Sequence, residues 1–563
     1  MSQRLHPSIL TQYINSPKSY TYLSILIISS LIIISDNSPG DIYPLVTTAS
    51  AFIFCCGLLY LLSAKAVFAL SISSLLVIAL QFINQLKVHY YKDRLVFPDL
   101  YIMTDVSNAA TLLHYPSAGL AIVGLVLFVM LTLVVGWRAV PRRQGVVPML
   151  IAVGMMAASG ALLSQCITRY QQDWAGTMPG GTGVVSNLVM SARQLHYHPP
   201  SFTEETAQYF TTRAAALNRA PQASASEHPD IVLLLQESTA DPRLYKLPAP
   251  ARLPHFSMFE PGPAVKAHTH MRVQTFGGGT WLSEFSALTG LRSDDFGAMK
   301  NAVFYSIIDH VNDSLFKQMK ANGYYTVVLT PFNKSAYNAR HAYTMMGVDK
   351  IIQPQELGYP GSLQDNLWHI TTADMLSYVK KIMSTYTDKP LFIYALTMSE
   401  HGPYDAAHKD DYQLSTVVKN ADSAGKFSHY VEKIKNSDTA MADFFQFVDQ
   451  RHRPTMFMYF GDHQPAINWA NGYASPLPDA MHLTQFSLRD NVNMPQVSGL
   501  GTVTDIAFLG GILLEQARLK VSPFYQANID MRYLCKGLLN ECADKQLFNS
   551  YRHYIYNRLR VAS

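Results

Sequence analysis

Residues 231–238 read IVLLLQES and residues 454–463 read PTMFMYFGDH. Each is a short apolar run that ends in an acid, too short to cross a membrane and too uniform to alternate between two faces. That is how a strand buried on both sides reads when it delivers polar groups at its carboxyl end. Two more runs share the pattern, YYTVVLTP at 324–331 and PLFIYALTMSEH at 390–401. Between them VNDSLFKQMKANG, ITTADMLSYVKKIMSTY and KFSHYVEKIKNSDTAMADFFQFVDQ carry helical spacing. Strands alternating with helices predict an α/β domain with a mostly parallel sheet between helix layers, and such sheets bind ligands beyond their carboxyl edge. Here that edge holds Glu237, the loop from Thr330 to Arg340, Glu400 with His401, and Asp462 with His463.

Toward the N-terminus the composition changes. The chain of 563 residues is 48% hydrophobic and 15% charged, and the apolar residues gather in its first third. Runs at Tyr20–Ser35, Ile42–Ala64, Ala66–Leu86, Ser117–Trp137 and Val146–Ser164 approach the ~20 residues a membrane-spanning helix needs. They predict a multi-span helical membrane domain over 1–164 with about five helices, a linker over 165–229, and a catalytic α/β domain over 230–563. Arg4, Lys18, Lys65, Arg138, Arg142 and Arg143 mark cytoplasmic loops, although Lys87, Lys92 and Arg94 pull the other way. An odd number of spans with the N-terminus inside places everything after Ser164 outside, in the periplasm or beyond.

A net charge of +4, with no basic run interleaved with aromatics, excludes a nucleic-acid partner. Of 5 cysteines, Cys55, Cys56 and Cys166 lie in or beside apolar segments. Cys535 and Cys542, in YLCKGLLNEC, can close a disulfide in an oxidising compartment; a pair of free thiols is the alternative.

Residues 274–290, QTFGGGTWLSEFSALTG, join a glycine loop to a helix start. Thr280 either caps that helix or faces a ligand at its positive end. With Glu237, Asp462 and His463 it forms an oxygen-rich set suited to one divalent ion, Mn²⁺ or Zn²⁺. A cation there lowers the pKa of the hydroxyl and makes it a nucleophile, for which phosphorus is the natural electrophile. His401 in TMSEHGPYD can bind a phosphate oxygen or protonate a leaving group. Arg340 in NKSAYNARH, with Asn338 beside it, can hold the phosphate. GGGT lacks the lysine of a nucleotide-binding P-loop, and TWLSE lacks the signature of formylglycine sulfatases.

The ES after the first strand, the G-x-T followed by Glu284, NKSAYNAR, SEHGPY and YFGDH together resemble the lipoteichoic acid synthase family of the alkaline phosphatase superfamily, which also holds phosphoglycerol and phosphoethanolamine transferases. The resemblance implies a metal-dependent transferase acting at the outer face of a bacterial cytoplasmic membrane. Thr280 would take a headgroup phosphate from phosphatidylglycerol or phosphatidylethanolamine, and a glycan or lipid acceptor would then remove it. Glu237, Thr280, Asp462 and His463 would hold the metal, and Asn338, Arg340 and His401 would contact the headgroup. The sparse disulfides lean toward phosphoglycerol. TWLSE departs from the more polar residues usual after the threonine, and 464–500 has no counterpart, which leaves His482 as an extra residue able to reach the site. Two other readings are a phosphodiesterase, with water taking the second step, and a lipid-binding regulator with a dead site. The complete ligand set argues against the regulator.

Overall fold

A computed structural model describes residues 29, 31, 42–99, 116–138, 145–169, 183–192, 197–203, 205–217, 228–247, 249, 251–414, 421–467 and 472–563. They divide into two units. The first contains helices α1 (Ile42–Ser63), α2 (Ala66–Tyr91), α3 (Pro116–Arg138) and α4 (Val146–Arg169). Among the described residues, three helices, α1, α2 and α4, are long and apolar enough to cross a membrane. Apart from Ser29 and Leu31, the run predicted at 20–35 lies outside the described residues. A shorter helix, α5 (Val184–Ser191), buries Val184, Val185 and Leu188 against Phe52, Val77 and Leu95. Helix α2 continues past Leu86, and there the Lys87 ammonium lies 2.6 Å from Asp99 and donates to the Arg94 carbonyl at 2.9 Å.

The second unit includes Tyr197–Ser563, so its described part begins before the strand at which the sequence reading placed the catalytic domain. Residues 197–217, read from sequence as linker, are fastened to the chain's end. Tyr197 donates to the Ala562 carbonyl at 2.8 Å, and the Arg552 guanidinium lies 3.9 Å from the Phe202 ring centre. In α6 (Ala207–Ala215) the Phe210 N–H donates to the Ser550 hydroxyl at 2.9 Å. Those partners lie more than 300 residues downstream, where no local pattern announces them.

The unit is built on one sheet of eight strands: β1 (Asp230–Gln236), β2 (Val265–Arg272), β3 (Tyr325–Leu329), β4 (Lys350–Ile352), β5 (Leu391–Leu396), β6 (Thr455–Gly461), β7 (Leu483–Asp490) and β8 (Val503–Asp505). Their order is β4-β3-β5-β1-β6-β7-β2-β8. The run from β4 to β6 is parallel, β7 is antiparallel to both β6 and β2, and β8 is parallel to β2. The four apolar runs became β1, β3, β5 and β6, and Ile231 to Leu235 of β1 are each 0% exposed. At about 1.5–3 kcal/mol for each aliphatic side chain, such fully buried strands anchor the core.

Strands β2 and β7 escape sequence reading because they are rich in polar residues. Their side chains satisfy one another only across the sheet, as in His268 with Ser487 at 2.6 Å. Helices α7 (Thr280–Thr289), α8 (Leu315–Ala321), α9 (Ala339–Met345), α10 (Thr372–Thr385) and α11 (Ala421–Asp449) lie between the strands or follow them, and α12 (Leu509–Gln516), α13 (Pro523–Leu534) and α14 (Lys545–Arg552) come after β8. Phe316 of α8 meets Phe392 of β5 with ring centres 5.4 Å apart, and Phe444 of α11 meets Phe457 of β6 at 4.8 Å.

Candidate active site

The register of the two central strands builds the site. Gln236 pairs with Gly461, so the next residues, Glu237 and Asp462, leave neighbouring parallel strands side by side. Gly461 is required by close approach: a Cβ there would stand 1.7 Å from the Thr239 carbonyl oxygen. Ser238 sits at φ +49°, a left-handed conformation held from two sides. Its N–H donates to Asp462 Oδ1 at 2.8 Å, and its hydroxyl to Glu237 Oε1 at 2.9 Å.

Thr280 arrives from the other direction. Gly277, Gly278 and Gly279 have φ of +70°, +156° and +79°, a run that L-residues adopt only under strain. The loop brings the chain to α7 with Gly279 at the N-cap and no side-chain cap. The capping alternative for Thr280 therefore fails. Its hydroxyl instead donates to Glu237 Oε2 at 3.0 Å, across 43 residues of sequence.

His463 donates from Nδ1 to the Gln464 carbonyl at 3.0 Å, which leaves Nε2 as a bare acceptor. That nitrogen lies 3.2 Å from Asp462 Oδ2 and 3.4 Å from Glu237 Oε1. Both His463 Nε2 and Asp462 Oδ2 are buried without a hydrogen-bond partner. Burial and the adjacent Glu237 charge hold the Asp462 carboxyl well above its ordinary range, and burial pushes His463 down. Two carboxylates and an imidazole converge within 4.8 Å, with orphaned buried atoms facing one another. Such a set is costly by itself and fits a divalent cation, with the Thr280 hydroxyl beside it.

Sequence reading missed the supports beneath this group. Thr397, just past β5, accepts the Glu237 N–H at 3.1 Å and donates to Glu400 at 2.7 Å. Ser283, one turn from Thr280, donates to the Asp462 carbonyl at 2.5 Å. No motif identifies them, since the site residues they fasten, Glu237 and Asp462, lie more than 150 residues away in sequence.

The remaining expected residues are placed unequally. His401 is half-buried, and its ring centre is 5.0 Å from that of Trp368. Lys433 of α11 holds this loop by donating to the Ser399 and His401 carbonyls at 2.7 and 3.3 Å. Asn338 uses its amide N–H on the Phe304 carbonyl at 2.6 Å. Arg340 is exposed on the first turn of α9. His482 lies 2.8 Å from Asp479 and is not part of the buried group. Cys535 and Cys542 form a disulfide with Cα atoms 5.5 Å apart.

Residues 229–489 match the family model described as Sulfatase. The chain is 34% identical over 559 residues to an uncharacterized protein of Haemophilus influenzae, covering 97% of this chain and 100% of the relative. It is 23% identical over 232 residues to the lipoteichoic acid synthase-like protein YvgJ of Bacillus subtilis, covering 40% of this chain and 35%, about a third, of that relative. Among solved structures, the integral membrane lipooligosaccharide phosphoethanolamine transferase A of Neisseria meningitidis has a TM-score of 0.50 at 12% identity, over 86% of this chain and 98% of that one. The likeness extends the shared fold to most of both chains.

Proposed function

Since the chain belongs to the family whose model is described as Sulfatase, we propose that it is a metal-dependent membrane phosphotransferase. It moves a phospholipid headgroup phosphate, phosphoglycerol or phosphoethanolamine, through Thr280 to a glycan or lipid acceptor of the cell envelope. The observation that carries this reading is the hydrogen bond from Thr280 to Glu237 at 3.0 Å, inside the buried group with Asp462 and His463. A free threonine hydroxyl is a weak nucleophile, and this one is aimed, desolvated and next to an acceptor.

A divalent ion held by Glu237, Asp462, His463 and Thr280 would lower the pKa of that hydroxyl and draw charge from the phosphate. The chain's own groups then do the rest. Glu237 orients Thr280 Oγ by accepting its hydrogen bond, and the amides that open α7 face the charge growing on the phosphoryl oxygens. Thr280 Oγ gives its proton to Glu237, the acceptor of its hydrogen bond, and forms a bond to phosphorus as the phosphorus–oxygen bond to the lipid glycerol breaks. Diacylglycerol leaves after accepting a proton, a role we assign to His401. In the second step an acceptor hydroxyl gives its proton to His401 and attacks the phosphothreonine, and Thr280 Oγ leaves, recovering its proton from Glu237. Arg340 and Asn338 serve the headgroup side of the site.

We assign the protein to the bacterial cytoplasmic membrane as a multi-pass chain with the catalytic domain outside. The apolar helices and the Cys535–Cys542 disulfide support that placement. Peptide mass spectrometry of the full-length protein in detergent, after incubation with phosphatidylglycerol or phosphatidylethanolamine and Mn²⁺ or Zn²⁺, tests the reaction. The expected result is an adduct on the peptide containing Thr280, whose mass names the headgroup. Donor cleavage that persists in Thr280→Ala would sink the mechanism.

A further inference from the structure

One helical turn beyond Thr280, Glu284 is 0% exposed and has no ion-pair partner among the described residues. A buried acid on the core face of a ten-residue helix is an expensive choice where an apolar residue would pack. Its partners explain it. Oε1 accepts from the Tyr337 phenol at 2.9 Å and Oε2 accepts from the Tyr343 phenol, while the Tyr394 phenol of β5 stands beside the same carboxyl.

Tyr337 and Tyr343 flank Asn338 and Arg340. Tyr337 and Asn338 have φ of +39° and +61°, two consecutive left-handed residues that are not glycine. Such a turn persists only where its surroundings over-determine it. Three contacts do so: Glu284 takes the Tyr337 phenol, Trp281 stacks on the Tyr337 ring with centres 5.9 Å apart, and Asn338 donates to the Phe304 carbonyl at 2.6 Å. Two of these three originate on α7, the helix that begins with Thr280.

We infer that Glu284 is a positioning residue that clamps the strained 337–340 turn to the nucleophile helix, so that Arg340 and Thr280 are held in fixed relation across one substrate phosphate. The inference rests on the proposed transferase reaction. In that reaction a shift of the Arg340 turn misplaces the phosphoryl group relative to Thr280 Oγ without touching either the nucleophile or the Glu237 group.

The test uses full-length protein in detergent, with Glu284→Gln and Tyr337→Phe made singly and in an Arg340→Ala background. Each clamp variant is expected to lower kcat/KM for the phospholipid donor about tenfold or more, the scale of a small misplacement of reacting atoms. Mn²⁺ binding should be retained. In the Arg340→Ala background the same changes should cost about twofold or less, because the residue they position is gone. Hydrogen exchange should accelerate in residues 333–345 and stay unchanged in β1 and β6. Wild-type kinetics in Glu284→Gln, or an equal loss with and without Arg340, overturns the clamp. Failure of the reaction assignment is read separately, from donor cleavage in Thr280→Ala. In that event the exchange measurement still decides, and unaltered exchange in residues 333–345 overturns the inference.

Discussion

Thr397 accepts the backbone N–H of Glu237 at 3.1 Å and donates its own hydroxyl proton to Glu400 at 2.7 Å. One side chain at the end of β5 thus ties the first acid of the candidate metal group to a second buried acid. Glu400 is itself fastened by Thr372 at 2.6 Å and by Ser437. Parallel pairing of β1 with β5 makes this possible, since Leu235 lies opposite Leu396 and the following residues leave the sheet together.

Thr397→Val keeps the volume and removes both bonds. It leaves the Glu237 N–H and one Glu400 oxygen buried without a partner, which should cost about 2 kcal/mol in denaturant unfolding. Mn²⁺ affinity, measured by calorimetry, should fall about tenfold, the effect of loosening a group behind a ligand.

The orphaned Asp462 Oδ2 and His463 Nε2 predict that a divalent ion stabilises the fold. Stripping the protein with a chelator and adding Mn²⁺ to about 100 times its Kd should raise stability by about 2.7 kcal/mol. Asp462→Asn should abolish that gain while leaving the metal-free protein as stable as wild type or more so, because it removes one of two facing buried acids. A metal-induced shift of undiminished size in Asp462→Asn would refute the ligand set.

Burial pushes Glu284 up to about 7 from its ordinary 4.5, with the Tyr343 and Tyr337 hydrogen bonds opposing and the Glu237 charge adding. The folded-state value is raised, so the unfolded chain releases this proton first as pH climbs. The stability it contributes is complete below about 4.5 and is lost as pH rises through about 7, a change on the order of 3 kcal/mol. Unfolding of metal-free protein between about pH 5 and about pH 8 should therefore be less pH-dependent in Glu284→Gln, by roughly that amount.

Gly461→Ala should be severe for a residue that carries no chemistry. The added Cβ would meet the Thr239 carbonyl at 1.7 Å, so β6 must part from the turn after β1. Overpacking of this kind costs about 1–3 kcal/mol or more, and it displaces Asp462 directly. Loss of Mn²⁺ binding should exceed the loss of secondary structure by circular dichroism.

Closing the seven-residue separation between Cys535 and Cys542 restricts the unfolded chain. By loop entropy alone the bond contributes about 2.5 kcal/mol. Cys535→Ser should lower the unfolding midpoint accordingly and leave donor cleavage intact.

The sequence by itself determined four strands of the parallel run, β1, β3, β5 and β6, the apolar N-terminal helices and the identity of the buried group. Those signals are local: IVLLLQES and PTMFMYFGDH are uniform apolar runs with acids at their ends, and GGGT admits few backbones. Tertiary structure alone decided three further matters. It aimed Thr280 at Glu237 instead of at its own helix, because strand register set where the acid would stand. It made β2 and β7 strands, because polar residues such as His268 and Ser487 find their partners only across the sheet. It also gave Glu284 its tyrosines from a turn more than 50 residues away. A buried polar group is stable only beside its partner, and a partner distant in sequence is visible only once the chain has folded.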